Sequence, residues 1–392
     1  MGFCKTLGVL ALVGGVLIAV FPPPDVLSGL SSNHDHSPLE VQAIMTGFCL
    51  SPVIGMLLDE RPEIETTGGE FKFEEDGDIE NEDYAQASIY AILYAMYKNT
   101  PNLVGAGTSA GVPYQFTFNT WGITPVDGPG QPPRESVYAF PDTDPQRHGK
   151  QAYASLVTQP PAMEYKKKLG DTPLEIVEIG CGTGAGANLI TREVHPTAKY
   201  LALDMQQAAI NTCNQNHATP DNPGLTCRLV PNGVGNGGNR APRADSSVDF
   251  VIISETHIAD IEIGDLEKEI FAEIRRILKP GGLFLWGNAI PTRVWEQADV
   301  KLPKLGFELV NSYNHTKGAV VARDEDYERV EACMDQLLDP YPIMKVPYFG
   351  PRCHKVGERL IANFYRHPGT ALYLKMVSGY DSYMHQAWRN NK

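Results

Sequence analysis

The chain has 392 residues, 42% of them hydrophobic, and a formal net charge of −14. That is enough apolar material for one large domain with additions or for two smaller ones, and an acidic chain with no stretch gathering Lys and Arg argues against a nucleic-acid partner. The seven cysteines, at 4, 49, 181, 213, 227, 333 and 353, form no CxxC pair, which points to a reducing compartment and no structural zinc.

The chain opens on a hydrophobic run, Leu7 to Phe21, preceded by Lys5 and stopped by Pro22-Pro23-Pro24. It is shorter than the roughly 20 residues of a full span and has no clean small-x-small cleavage site. A second run, Val41 to Leu58, is interrupted only by Gln42, Thr46, Ser51 and Pro52; it reads as a second span, an interfacial helix or ordinary core. With Lys5 before the first run and Asp25 after it, a hairpin of two segments would return the rest of the chain to the cytosol. Residues 1–58 are therefore expected to anchor the protein to a membrane, with a cytosolic catalytic domain.

Residues 59–147 form an acidic linker and cap. Positions 59–82 are acidic, Tyr84 to Tyr97 reads as a buried helix, and the segment to 147 is rich in Pro, Gly and Asn around Tyr114, Phe116, Phe118 and Trp121. That aromatic cluster is either a loop packing its own small core or a wall of an acceptor pocket. Arg147 to Val157 reads as the helix leading into a core domain over 148–318.

The chemistry is anchored in Leu174 to Ile190, LEIVEIGCGTGAGANLI. A β-branched run breaks at Gly180 and resumes as a small-residue helix from Ala185, which is strand, tight turn and helix, the first half of a βαβ unit. Gly180, Gly182 and Gly184 remove Cβ atoms where the backbone turns and where a ligand lies against it. The glycines alone also fit a dinucleotide fingerprint. Two acids separate the readings. Glu178, at the end of the strand, suits a cationic amine and would repel a pyrophosphate, and KYLALD at 199–204 is a second strand ending in Asp204, placed to hold two ribose hydroxyls.

Further elements come in order: a helix at Gln206 to Asn214, a strand at Leu225 to Val230, the strand Asp249 to Ser254, an amphipathic helix Leu266 to Leu278, the turn LKPGG, and the strand Leu283 to Trp286. Leu305 to His315 reads as a sixth strand. An amphipathic helix at about Asp324 to Leu338 and a final strand near the terminus complete the set. The fourth strand delivers Ser254, Glu255, Thr256 and His257 to the crevice side of the sheet. His257 is the candidate base for an acceptor proton, with Glu255 orienting it or touching the substrate; the alternative is that His257 caps the next helix or is simply exposed.

This order and spacing resemble the class I S-adenosylmethionine-dependent methyltransferases over roughly residues 150 to 315. The resemblance implies an α/β fold, a doubly wound, mainly parallel seven-stranded sheet of Rossmann-like type. It also implies S-adenosyl-L-methionine as cofactor, held by Glu178, Gly180, Cys181, Gly182, Gly184, Asp204, Met205 and Ser254. Many relatives carry an Asp after the third strand for the adenine amine; here Asn232 stands in, through its amide oxygen. Residues 319–392 would supply a helical lid over the acceptor and the last strand. TREVHP at 191–196 and, in the tail, Gly369, Thr370, Leu372, Gly379, Ser382 and Tyr383 are similar to the phthiotriol/phenolphthiotriol dimycocerosate methyltransferases, which O-methylate a very hydrophobic lipid. The implied reaction is O-methylation of a lipophilic hydroxylated molecule such as a polyketide, terpenoid or lipid. C- or N-methylation, or a cofactor-binding subunit without chemistry, are the alternatives.

Overall fold

The computed structural model describes residues 120–231, 233–235, 239–256, 265–328 and 368–392. All of them belong to one of the two compact units into which the chain divides, residues 101–330 with 365–392. The expected membrane anchorage is corrected here: among the described residues no helix is long and apolar enough to cross a membrane. The runs at 7–21 and 41–58, the aromatic cluster before Trp121, and the lid region from 329 to 367 lie outside the described residues.

Two helices lead in, α1 (Arg147–Val157) and α2 (Pro160–Leu169). The sheet then begins with β1 (Glu175–Ile179), followed by α3 (Ala185–Leu189), which runs on as a π-helical turn at Ile190–Val194. Next come β2 (Lys199–Asp204), α4 (Gln207–Asn216), β3 (Leu225–Leu229) and β4 (Val248–Ser254). The remainder is α5 (Asp265–Ile277), β5 (Leu278–Pro291), α6 (Thr292–Lys301), β6 (Phe307–Asn314), α7 (Thr316–Glu325), α8 (Ala371–Val377) and β7 (Asp381–Asn390). The seven strands form one sheet in the order β3-β2-β1-β4-β5-β7-β6. It is mixed: β7 runs antiparallel to both neighbours, β5 and β6, whereas β1 to β5 pair in parallel.

Strand alternation divides the buried side chains between two cores. Val177, Ile179, Leu201, Leu203, Val251, Ile253, Phe284 and Trp286 face one side, beneath Ile270, Phe271, Ile274 and Ile277 of α5 and Val294, Trp295 and Ala298 of α6. Ile176, Tyr200, Ala202, Phe250, Ile252, Leu283 and Leu285 face the other, beneath Leu156 and Val157 of α1, Ala187 and Leu189 of α3, and Ile210 and Cys213 of α4. Burial on both faces explains why β4 reads as a nearly unbroken apolar run, all of it buried.

Two local expectations change. LKPGG does not end a turn ahead of a short strand. Leu278 already pairs with Val248, Gly281 takes φ +75°, and the register shifts between Val248 and Phe250, so β5 absorbs the turn as an irregularity and runs for 14 residues. The cysteines are not all free: Cys213 on α4 and Cys227 on β3 form a disulfide. Their backbones are brought together by packing, at a sequence separation of 14, which no local motif announces.

At the opposite end of the sheet from the glycine loop, the fully buried Asp249 ties three elements together. Its carboxylate accepts the Tyr165 hydroxyl at 2.8 Å, the Glu175 N–H at 2.9 Å and the Lys279 ammonium at 2.7 Å. Asp249→Ala would leave Lys279 without its partner and a main-chain N–H unpaired. It should destabilise the fold by about 3 kcal/mol, the low end for a broken buried pair because Lys279 keeps a third of its side chain in water. A urea midpoint within error of the wild type would show that the network contributes nothing.

Candidate functional site

The crevice lies at the carboxyl ends of β1, β2 and β4. β1 passes into the loop Gly180–Gly184, where Gly180, Gly182 and Gly184 take φ of +80°, +53° and +87°, a region L-residues enter only with strain. The three glycines serve different neighbours. A Cβ at Gly180 would run into the Thr256 side chain, and one at Gly184 into the Cys213 sulfur, whereas one at Gly182 meets nothing within 4 Å. Gly182 therefore leaves main chain bare toward the open crevice. That is a cradle a side chain would fill.

Asp204 holds this loop. It is 7% exposed, and its carboxylate accepts the Gly182 N–H at 2.8 Å through Oδ2 and the Gln206 N–H at 2.8 Å through Oδ1. Gly180 and Cys181 donate their N–H groups to the Leu203 carbonyl, at 2.8 and 2.9 Å. The ends of β1 and β2 are thereby locked to each other. Burial raises the Asp204 pKa above the usual carboxylate range, and these backbone donors oppose the rise. Met205, next in the chain, is 41% exposed. Cys181 is a buried free thiol held protonated by burial and by the carboxylates of Asp204 and Glu178.

Glu178 points inward, beneath the loop. It is fully buried, and its Oε2 accepts the Tyr200 hydroxyl at 3.0 Å. The Tyr153 hydroxyl of α1 bears on both the Glu178 carboxyl and Ser254, and the Tyr153 ring lies where a side chain at Gly186 would be. Burial, more than these hydrogen bonds can offset, pushes the Glu178 pKa up to about 7.

β4 ends at Ser254, which is 6% exposed. Glu255 comes next, in the left-handed region at φ +47°, rare for a residue with a side chain. The turn sends its Oε1 to the Trp121 N–H at 2.7 Å, which seats the start of the described chain against β4. The Thr256 hydroxyl lies 3.3 Å from the carbonyl oxygens of Ile179, Gly180 and Ser254, and the Asn288 amide donates to the Thr256 carbonyl at 3.0 Å. Of the residues expected from sequence, Glu178, Gly180, Cys181, Gly182, Gly184, Asp204, Met205 and Ser254 gather at this corner, and Glu255 adjoins it; His257 and Asn232 lie outside the described residues. Tyr153 and Tyr200 were not anticipated. A buried glutamate in an apolar strand needs hydroxyl partners, and the tyrosine in KYLALD was the available signal.

Residues 176–282 match the protein family described as "Methyltransferase domain". The phthiotriol/phenolphthiotriol dimycocerosates methyltransferase of Mycobacterium tuberculosis is 32% identical over 125 residues, 31% of this chain and 41% of that protein. The fatty-acid O-methyltransferase of Mycolicibacterium smegmatis is 30% identical over 183 residues, 45% of this chain and 59% of that one. The chain thus spans less than two thirds of either relative. Among solved structures, geranyl diphosphate C-methyltransferase from Streptomyces coelicolor, in complex with Mg2+, geranyl diphosphate and S-adenosyl-L-homocysteine, aligns with a TM-score of 0.39 at 12% identity, over 69% of this chain and 91% of that chain; nothing rests on so loose a likeness. The chain carries a class I S-adenosylmethionine-dependent methyltransferase domain related to lipid methyltransferases, and S-adenosylmethionine is its cofactor.

The glycine geometry separates folding from binding. Gly182→Val should lose cofactor binding on titration while its unfolding free energy falls by only about 2 kcal/mol, the strain of an L-residue in that region. Gly180→Ala, whose Cβ collides with Thr256, should lose folded protein instead. Binding retained by a folded Gly182→Val would reduce the loop to a plain turn.

Proposed function

We propose that the chain moves a methyl group from S-adenosylmethionine to a hydroxyl of a lipophilic small molecule, such as a polyketide, terpenoid or lipid. The reading is carried by the bare main chain at Gly182 beside the Asp204 carboxylate, within the stretch that matches the methyltransferase domain. The acceptor class is supported by the two curated relatives, one named for phthiotriol and phenolphthiotriol dimycocerosates and the other for fatty acids.

In this reading Asp204 accepts hydrogen bonds from the ribose hydroxyls with the lone pairs its backbone bonds leave over. Gly180, Cys181, Gly182 and Gly184 bring main chain against the ligand. Met205 flanks the adenine and Asn232 accepts from its amine, while Ser254 borders the methionine end and Glu178 supplies negative charge there. The bound cofactor supplies a methyl group on a sulfonium, open to in-line displacement once an acceptor is aligned. An alcohol must also lose its proton, and His257, three residues beyond Ser254, is assigned as the base that takes it. Glu255, through its bond to Trp121, fixes the backbone from which His257 departs.

The test is incubation with cofactor carrying a labelled methyl group and a panel of hydroxylated lipids and polyketides. One labelled methyl on oxygen is the expected product. Label on carbon or nitrogen would move the assignment to C- or N-methylation, and binding with no incorporation would leave a cofactor-binding subunit. With an acceptor in hand, His257→Ala should lower turnover about 100-fold at unchanged cofactor affinity. The wild-type rate should rise with pH through the imidazole titration, because the neutral ring accepts the proton. A variant as fast as the wild type removes His257 from the mechanism.

A further inference from the structure

Among the described residues, Glu178 is a carboxyl group without a countercharge. It has no exposed surface, its Oε2 takes the Tyr200 hydroxyl at 3.0 Å, and the Tyr153 hydroxyl is its other hydrogen-bonding neighbour; both partners are neutral. Two elements and a loop present titratable groups to it. Tyr200 comes from β2, Tyr153 from α1 with Ser254 of β4 on its far side, Cys181 from the glycine loop, and Asp204 from the end of β2. Burial holds both phenols and the thiol in their neutral forms. Asp204 adds like charge. No cation among the described residues acts on the carboxyl, so an ionised Glu178 would sit desolvated beside a second acid, the arrangement that keeps a carboxyl protonated.

This acid stands two residues before the loop that the cofactor occupies. We propose that cofactor binding ionises Glu178: the positive charge of the ligand's amino-acid end replaces the missing countercharge, the carboxyl O–H gives its proton to solvent, and affinity is thereby tied to pH. The proposal rests on the cofactor reading above and extends it to what the buried acid does. A neutral acid and a cationic ligand give a carboxylate–cation pair and one free proton. The free protein's Glu178 titrates at about 7, and the bound form titrates lower. Affinity therefore falls as pH drops below about 7, tending to tenfold per unit, and falls again above roughly 8, where the ligand's own amine loses its charge.

The experiment is calorimetric titration with S-adenosylhomocysteine, which has the ammonium group but does not react, in two buffers of different ionisation enthalpy at about pH 6. There the ligand's amine, titrating at roughly 8, is fully charged. His148 and His315, both depressed to about 4 by burial, stay neutral and silent. Close to one proton released per ligand, roughly 0.9, is expected from the wild type. Glu178→Gln should abolish the release and flatten the pH dependence of affinity, while Asp204→Asn, which removes only the smallest of the influences that raise Glu178, should bind more weakly and still release most of the proton. Should Glu178→Gln not fold, Tyr200→Phe substitutes for it: loss of the hydroxyl that favours the carboxylate should move the affinity midpoint to higher pH. Binding by the wild type with no proton released, or a release that survives in Glu178→Gln, or one that vanishes in Asp204→Asn, overturns the proposal. No binding at any pH would instead defeat the cofactor reading itself.

Discussion

Two parallel strands end side by side, and each runs into a loop whose N–H groups need acceptors. The Asp204 carboxylate answers both, taking Gly182 from one loop and Gln206 from the other. A charged acceptor for main-chain donors is among the stronger hydrogen bonds in a protein, and this one is sheltered from water. Everything the site offers depends on it: the left-handed turn at Gly182, the bare main chain there, and a carboxylate poised at the crevice. It also explains why the residue is an acid rather than an amide, since each oxygen must accept while lone pairs remain for a ligand.

The rest of the crevice is built by placing polar groups where an apolar core would be more stable. Glu178 shares the α1 side of the sheet with Phe250, Ile252 and Leu285, and two tyrosine hydroxyls make its burial tolerable. Glu255 adopts a strained backbone so that its carboxylate can seat Trp121. Strain and buried charge gathered at the ends of three neighbouring strands have a common interpretation: local stability is given up where ligand binding needs it. At the other end of the same strands Asp249 shows the contrast. There a buried acid is matched by an ammonium and two further donors, and it serves only to hold the fold.

Much of this architecture can be read from periodicity. β2 and α1 occupy Lys199–Asp204 and Arg147–Val157, the stretches predicted for them; β2 carries the unbroken apolar run Tyr200 to Leu203 between Lys199 and Asp204. β5 outgrew its expected length because Gly281 lets the chain turn without leaving the sheet. α2 went unanticipated although Pro160 and Pro161 sit in its first turn, where proline favours a helix start. The disulfide between Cys213 and Cys227, and the two tyrosines around Glu178, depend on which helix lies over which strand, and a linear pattern does not contain that. The glycines were legible as a group, yet their separate duties toward Thr256, Cys213 and the open crevice appear only once neighbours are in place.

On the proposed function, this corner, clasped by Asp204, holds S-adenosylmethionine. Calorimetric titration of the wild type and of Asp204→Asn with S-adenosylhomocysteine at about pH 8 decides between the two outcomes. The wild type should bind, and the variant should bind about thirtyfold more weakly, the equivalent of about 2 kcal/mol for lost charged hydrogen bonds, with circular dichroism unchanged. Equal affinity in the two proteins, or a wild type that does not bind, would contradict it.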